Sequence, residues 1–309
     1  MTNEAVVKLK ERETKRVKNL DKKVKPPVGK IICYVLLALY TVWLFFPMYT
    51  IFATSFTSSA ELTSSLDFIW FPKPTFESYK RLFEKDVYSI TTGVPSLILG
   101  FFNTMWMTLV PLIIGLFVSG VSAYAFSKVK FKGREPLFFA EIIISVFPLG
   151  AFSMISYMFY AALGWVGTPW PIIVPGMFGG IGTIFFLRMY MDGVSDGLIE
   201  AAKIDGLGFW GIFFKIILPL SKPAFIAQFI FGFVGGYNTY MSALLYLRGV
   251  PELVTIQLVL AGAEDIFNGI GAETVHCAAA VLGMLPLIIL YIFMQKYFLE
   301  GLTVGGEKE

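Results

Sequence analysis

The stretch Ser96–Ser127 reads SLILGFFNTMWMTLVPLIIGLFVSGVSAYAFS and holds no charged side chain. A helix needs about 20 apolar residues to cross the hydrocarbon core of a bilayer. This run is longer, so it predicts a span that tilts or continues beyond the membrane. It has no apolar–polar alternation and far exceeds the ~10 residues of a barrel strand, which favours helix. The remainder of the chain agrees. Of 309 residues, 56% are hydrophobic and 15% charged, with a mean hydropathy of +0.70. A soluble domain carries about 25% charge to cover its surface. The charges here fall in clumps between apolar runs, as expected where lipid excludes charge and the backbone must pair within its own segment. The reading is an all-α integral membrane protein with six spans: Ile31–Ala53, Ser96–Ser127, Pro136–Leu163, Ile172–Leu187, Ala224–Leu247 and Val275–Phe298.

Orientation follows from Lys and Arg. The tail 1–30 is dense in both, and Lys128, Lys130, Lys132 and Arg134 follow the second span, whereas the segments on the opposite side are balanced or acidic. Both termini are therefore expected in the cytoplasm, with a basic tail at 1–30, a membrane domain at 31–299 and a short tail at 300–309. The basic leader is too long for a cleaved signal peptide, so the first span reads as a retained anchor. A net charge of +3 gives no broad basic surface for nucleic acid. Cys33 and Cys277 fall at opposite ends of their spans and form no disulfide framework.

Between the fourth and fifth spans, from Met191 to Pro223, the chain reads MDGVSDGLIEAAKIDGLGFWGIFFKIILPLSKP. This segment, 192–220, is too apolar for a solvated connector. Ser195 is expected to cap a short helix, Asp196 to favour the positive end of its dipole, and Gly206 to end it in a left-handed conformation. A second short helix, rich in Phe209, Trp210, Phe213 and Phe214, is expected to stop at Pro219. One alternative is an amphipathic hairpin that only anchors the chain to lipid.

Glu200-Ala201-Ala202, three residues, Gly206, nine residues, then Ile216-x-Leu218-Pro219 resembles the EAA loop of ATP-binding-cassette (ABC) importer permeases at every fixed position. Three further stretches resemble the carbohydrate branch of that family. They are Phe71 to Tyr79, Tyr124 to Gly133, and the end from Leu299 to Lys308, which is similar to the smaller permease of maltose-type importers. The resemblance implies a type I importer permease fold and a heterodimer with a second permease. It also implies two cytoplasmic ATPase subunits that use ATP and Mg, and an extracytoplasmic sugar-binding protein. This chain would bind no cofactor or metal itself. Glu200, Ala201, Ala202, Gly206, Leu218 and Pro219 would face the ATPase. Gly301, Leu302, Thr303, Gly305 and Gly306 would reach the ATPase interface. One departure is Val194-Ser195, where sugar-type members commonly have a proline before the first short helix.

For the solute, Tyr237, Asn238 and Tyr240 in the fifth span are the candidates, since hydroxyls want hydrogen bonds and sugar rings want aromatic faces. Gly235 and Gly236 would let the helix bend there. The competing reading makes Gly232 and Gly236 a helix-packing surface, with Asn238 in an interhelical bond. The Gly176–Gly182 cluster reads as packing, and Glu141 as an acid near the headgroups. The outer loop Arg248–Glu273 is expected to meet the binding protein. No phosphate-binding GxxxxGKS, HExxH or GxSxG motif is present, so no catalytic constellation is read. A channel lacks its filter here, and a secondary transporter its repeated halves.

Overall fold

The computed structural model describes residues 28–64, 74–84, 86–146, 152–266 and 272–303, and it is helical in every regular element among them. Two units are distinguished, residues 1–52 and 53–309. The described residues of the first belong to the helix α1 (Val28–Ser55), which runs on into the second. It is long and apolar enough to cross a membrane. Pro47 lies within it and removes one backbone donor. Thr50 and Thr41 each return a hydroxyl hydrogen bond to a carbonyl of the preceding turn, Pro47 O and Leu37 O, both at 2.8 Å.

The second unit is organised on α2 (Ser96–Lys128), a helix of 33 residues and so about 50 Å long. Its start is fixed by a buried carboxylate: Asp86 Oδ2 accepts from Ser96 N and Ser96 Oγ, both at 2.7 Å. Negative charge at that end complements the helix dipole. The third expected span is present as α3 (Arg134–Val146) and α4 (Ser153–Ala162), on either side of residues outside those described. The fourth is α5 (Trp170–Met177) and α6 (Ile181–Asp192), interrupted at Gly179, whose φ of +77° suits glycine.

The two short helices of the 192–220 segment are α7 (Asp196–Ile204) and α8 (Phe209–Leu220). Phe213–Ile217 forms a π turn inside α8. A 77° bend then leads to α9 (Lys222–Tyr237), and α10 (Met241–Leu247) completes the fifth expected span after a break. α11 (Ile256–Ala261) lies in the outer segment. α12 (Ala272–Thr303) is longer than the sixth expected span and continues through Gly301, Leu302 and Thr303 without a boundary at 300. Among the described residues, four helices are long and apolar enough to cross a membrane, or five if the bent pair α8–α9 is one span.

Two large apolar clusters, and a smaller one of Met107 with Ala243 and Leu247, hold the unit together. One lies toward the Lys128 end of α2 and joins Tyr124, Leu187, Met191, Ile199, Ala202 and Phe213. The other lies toward Ser96 and joins Leu97, Phe233, Tyr237, Ile256, Val259 and Val275. Between them the backbones come close. A Cβ on Gly115 would collide with Gly176 O, one on Gly179 with Ser119 Oγ, and one on Gly236 would sit 2.8 Å from Thr108. The packing reading therefore holds for Gly176 and Gly179, and for Gly232, which abuts Leu112. It fails for Gly180 and Gly182, which meet open space. Gly176→Leu is expected to cost about 1–3 kcal/mol by overpacking against Pro111, seen as early loss of the monodisperse peak on heating in detergent. Gly182→Ala should leave that profile unchanged.

Candidate functional site

The α7–α8 pair is built as the chain's local chemistry demands, with one exception. Ile199 and Ala202, three residues apart, form the buried face of α7, while Glu200 and Ala201 are exposed. Gly206 has φ +83°. Leu207 N donates to Ala202 O at 2.9 Å and Gly206 N to Lys203 O at 3.1 Å, the paired bonds of a Schellman termination. The exception is Ser195. It occupies the N-cap position, yet its side chain makes no capping bond. Asp196, in the first turn, takes a bond from Lys128 Nζ at 2.8 Å. α8 ends at Leu220, one residue beyond the expected stop at Pro219, because the 77° bend falls at Ser221. Leu218 is half-buried and Pro219 exposed.

A polar network joins this pair to the helices behind it. Lys128 Nζ also donates to Val194 O at 2.6 Å, and its side chain is only 6% exposed. Ser127 Oγ donates to Asp192 Oδ1 at 2.6 Å. Arg188 holds both oxygens of Glu135, at 2.7 and 2.9 Å, and its guanidinium lies 4.1 Å from the Phe138 ring centroid. Hydrogen bonding from Lys128, then its charge, depresses the Asp196 carboxyl below its ordinary value. The hydrogen bond from Arg188 does the same, first among several causes, for Glu135. In the sequence, Lys128 and Arg134 speak only of orientation, and no local pattern singles out Arg188. A groove of about 740 Å³ runs beside α7, edged by Lys128, Lys130, Asp196, Glu200, Lys203 and Phe209.

The second feature is the break between α9 and α10. It falls at Asn238–Tyr240, after the doubled glycine and not at it: Gly235 and Gly236 remain helical. Asn238 and Tyr240 are exposed. Asn238 Nδ2 bonds back to Val234 O at 2.9 Å, and its Oδ1 accepts from Gln257 Nε2 at 3.4 Å. Tyr237 departs from expectation. It is 1% exposed, its hydroxyl donates to Gly283 O at 2.8 Å, and its ring stacks on Phe233. Tyr237 is therefore a tie between α9 and α12, with no surface left for a solute. The i, i+4 spacing of Phe233 and Tyr237 is the signal that could have shown it. Beside the break is a cavity of about 400 Å³, lined by Thr108, Pro111, Pro175, Gly236, Thr239 and Ser242 among others. Unwound backbone at membrane depth is tolerated where it lines such a space.

The remaining sites resolve simply. Glu141 lies on α3 with Oε2 shielded from solvent and without a hydrogen-bond partner among the described residues. No grouping of metal-ligating side chains occurs among the described residues. The outer segment is less open than expected. Asn103 Nδ2 donates to Glu252 O and Val254 O, both at 2.9 Å, and Thr255 and Ile256 are buried, while Arg248, Gly249, Glu252, Ala261 and Glu273 are exposed among the described residues. Gly305, Gly306 and Phe71–Lys73 lie outside the described residues.

Comparison with known proteins agrees with this geometry. Residues 27–304 match the family described as binding-protein-dependent transport system inner membrane component, and the chain belongs to it. It is 33% identical over 294 residues to the galactooligosaccharides transport system permease protein GanQ of Bacillus subtilis, covering 93% of this chain and 99% of the relative. It is 31% identical over 266 residues to the arabinooligosaccharides transport system permease protein AraQ of Halalkalibacterium halodurans, covering 85% and 91%. The maltodextrin transport system permease protein MdxG of Bacillus subtilis is 28% identical over 286 residues, with 91% and 97% covered. Among solved structures, a bacterial ABC transporter involved in the import of the acidic polysaccharide alginate superposes with a TM-score of 0.75 at 25% identity, covering 89% of this chain and 98% of that one. The fold is the type I importer permease fold, and the protein is an integral membrane permease.

Two expectations follow. Gly206→Ala places a side chain in the left-handed region and should cost about 1–2 kcal/mol, read as a lowered Tm in detergent. Gly208→Ala, in extended backbone with open space around it, should be neutral. Asp196 and Glu135 titrate lower in the folded chain than the ~4 of an unfolded one. Their stabilisation is thus complete above about pH 4 and disappears as pH falls through the depressed folded values. It should be small, because both carboxylates are exposed. Tm measured from pH 3 to 7 should drop only at the acid end, and less in an Asp196→Asn, Glu135→Gln double variant.

Proposed function

We propose that this chain is one half of the membrane pathway of an ATP-driven, binding-protein-dependent importer of sugars or oligosaccharides. The second half would be another permease, two separate ATPase subunits would dock below, and a sugar-binding protein would deliver solute from outside. The observation that carries this reading is the α7–α8 pair. Its inner face is anchored by Ile199 and Ala202 in the main apolar cluster, while Glu200 and Ala201 are presented outward. The exposed surface of α7 mixes Leu198 and Ile204 with Glu200, Lys203 and Asp205, a combination of apolar and charged groups that suits a groove in a protein partner.

In this reading the ATPase takes α7 into a groove of its own, the small Ala201 permits close approach, and Gly206 sets the angle between α7 and α8. ATP and Mg belong to that partner, since no phosphate-binding loop is found in this sequence. Gly301, Leu302 and Thr303, at the end of α12, lead the chain's last segment toward the same partner. The membrane is the bacterial cytoplasmic one, with both termini inside, as the Lys and Arg distribution requires. Asn238 and Tyr240, at the broken helix beside the hydroxyl-lined cavity, are the residues offered to the solute, and Arg248 and Glu252 face the binding protein. The sugar class is supported by the relatives, whose names specify galactooligosaccharides, arabinooligosaccharides and maltodextrin. An importer of a non-sugar solute is the second reading, since the α7–α8 geometry would serve it equally.

Gentle solubilisation from the native membrane, followed by mass spectrometry, tests the reading. The native chain should bring down a second permease and an ATPase, and Glu200→Lys should lose the ATPase selectively while keeping the permease. A chain that comes out without an ATPase in either sample would defeat the proposal.

A further inference from the structure

α2 ends on Lys128, and that ending is unusual. A lysine is seldom this buried unless paired, and here all three ammonium donors face oxygen: Asp196 Oδ1 at 2.8 Å, Val194 O at 2.6 Å and Asp192 O at 3.5 Å. Its neighbour Ser127 holds the Asp192 carboxylate. The last two residues of α2 thus grip the end of α6, the connector at 193–195 and the first residue of α7. Ser195 makes no cap, so among the described residues Lys128 is the side chain that hydrogen-bonds this connector. The same helix, about 30 Å away along its axis, carries Thr108 and Pro111 into the wall of the cavity beside the broken span.

We infer that Lys128 is a positioning residue that makes α2 and the start of α7 move as one body, so that displacement of α7 reaches the cavity. The inference rests on the proposed function, since it needs an ATPase to displace α7. Apolar contact by Ile199 and Ala202 holds the middle of α7 against the bundle, but such contact lets one surface slide on another. Three directed bonds from a helix end do not. The carbonyl acceptors also distinguish Lys128 from an ordinary surface ion pair, whose loss is nearly silent.

The test uses the whole complex, reconstituted in liposomes with its co-purified permease and ATPase. Ser242→Cys, in a Cys33→Ala, Cys277→Ala background, reports the cavity through its labelling rate by a water-soluble maleimide, with and without ATP and vanadate. In the native Lys128 chain the nucleotide should change that rate. In Lys128→Met the ATPase should remain bound and hydrolyse ATP, while the change in labelling falls by about tenfold, the scale of a typical coupling energy. Lys128→Arg should restore it in large part. Asp196→Asn, which keeps the carbonyl bonds, should weaken it less. An unchanged nucleotide response in Lys128→Met would overturn the inference. So would loss of the bound ATPase in that variant, because Lys128 would then only support the docking surface. If no ATPase accompanies the native chain, the proposed function itself fails, and the two failures are told apart by the first purification.

Discussion

Close approach of backbones along α2 is the constraint on which the rest of this molecule depends. In lipid there is no hydrophobic gain from bringing two apolar helices together, so packing has to come from surfaces that fit at short range. Gly115 against Gly176, Ser119 against Gly179, and Gly232 and Gly236 against Leu112 and Thr108 supply that fit. They bring α5, α6 and α9 onto one helix. Once those backbones are seated, the two apolar clusters at either end of α2 fall into place.

The ends of α2 carry the polar counterpart of this packing. Asp86 accepts the N–H and hydroxyl of Ser96 at one end, and Lys128 lies at the other, where the dipole favours a cation. Each is buried, and each is satisfied by several partners, which is the condition under which a buried charge is tolerated. The longest helix is thereby tied at its start to the segment that carries Asp86 and at its finish to α7. Its length, which the membrane alone does not require, is what lets it serve both.

Much of this is legible in the residues. Long apolar runs announce spans because lipid leaves the backbone no other choice, and Gly206 announces its turn because other residues are strained there. The site is legible for the same reason: a loop too apolar for water must pack on something. What stays hidden depends on distance in sequence. Lys128 and Asp196 are 68 residues apart, and Glu135 and Arg188 are 53, so nothing local pairs them. Ser195 stands at the N-cap position without a capping bond, and the partner of Asp196 comes from a distant helix. Tyr237 suggests a solute contact by residue type alone, whereas its neighbour Phe233 on the same face shows which way it turns.

The broken span follows the same physics. Glycine is expected to unwind α9, yet Gly235 and Gly236 stay helical and the break comes at Asn238–Tyr240. In water, glycine's freedom destabilises a helix. In a bundle, the same small residue is what allows close contact, Gly232 with Leu112 and Gly236 with Thr108, and that contact holds the helix in place although Gly235 itself meets open space. Polar side chains do the opposite. Asn238 Nδ2 adds a second donor at Val234 O, which the Asn238 backbone N–H already meets at 3.2 Å, Thr239 Oγ1 takes up Gly235 O at 3.0 Å, and Gln257 Nε2 takes up Tyr237 O at 3.3 Å. The interruption is therefore made by polar side chains that replace backbone partners, and it opens where Thr239 and Ser242 can line a cavity. A polar path through an apolar bundle needs both halves of that arrangement, glycine to bring the helices together and polar side chains, here Thr239 and Gln257, to take up the carbonyls where a single helix among them is interrupted.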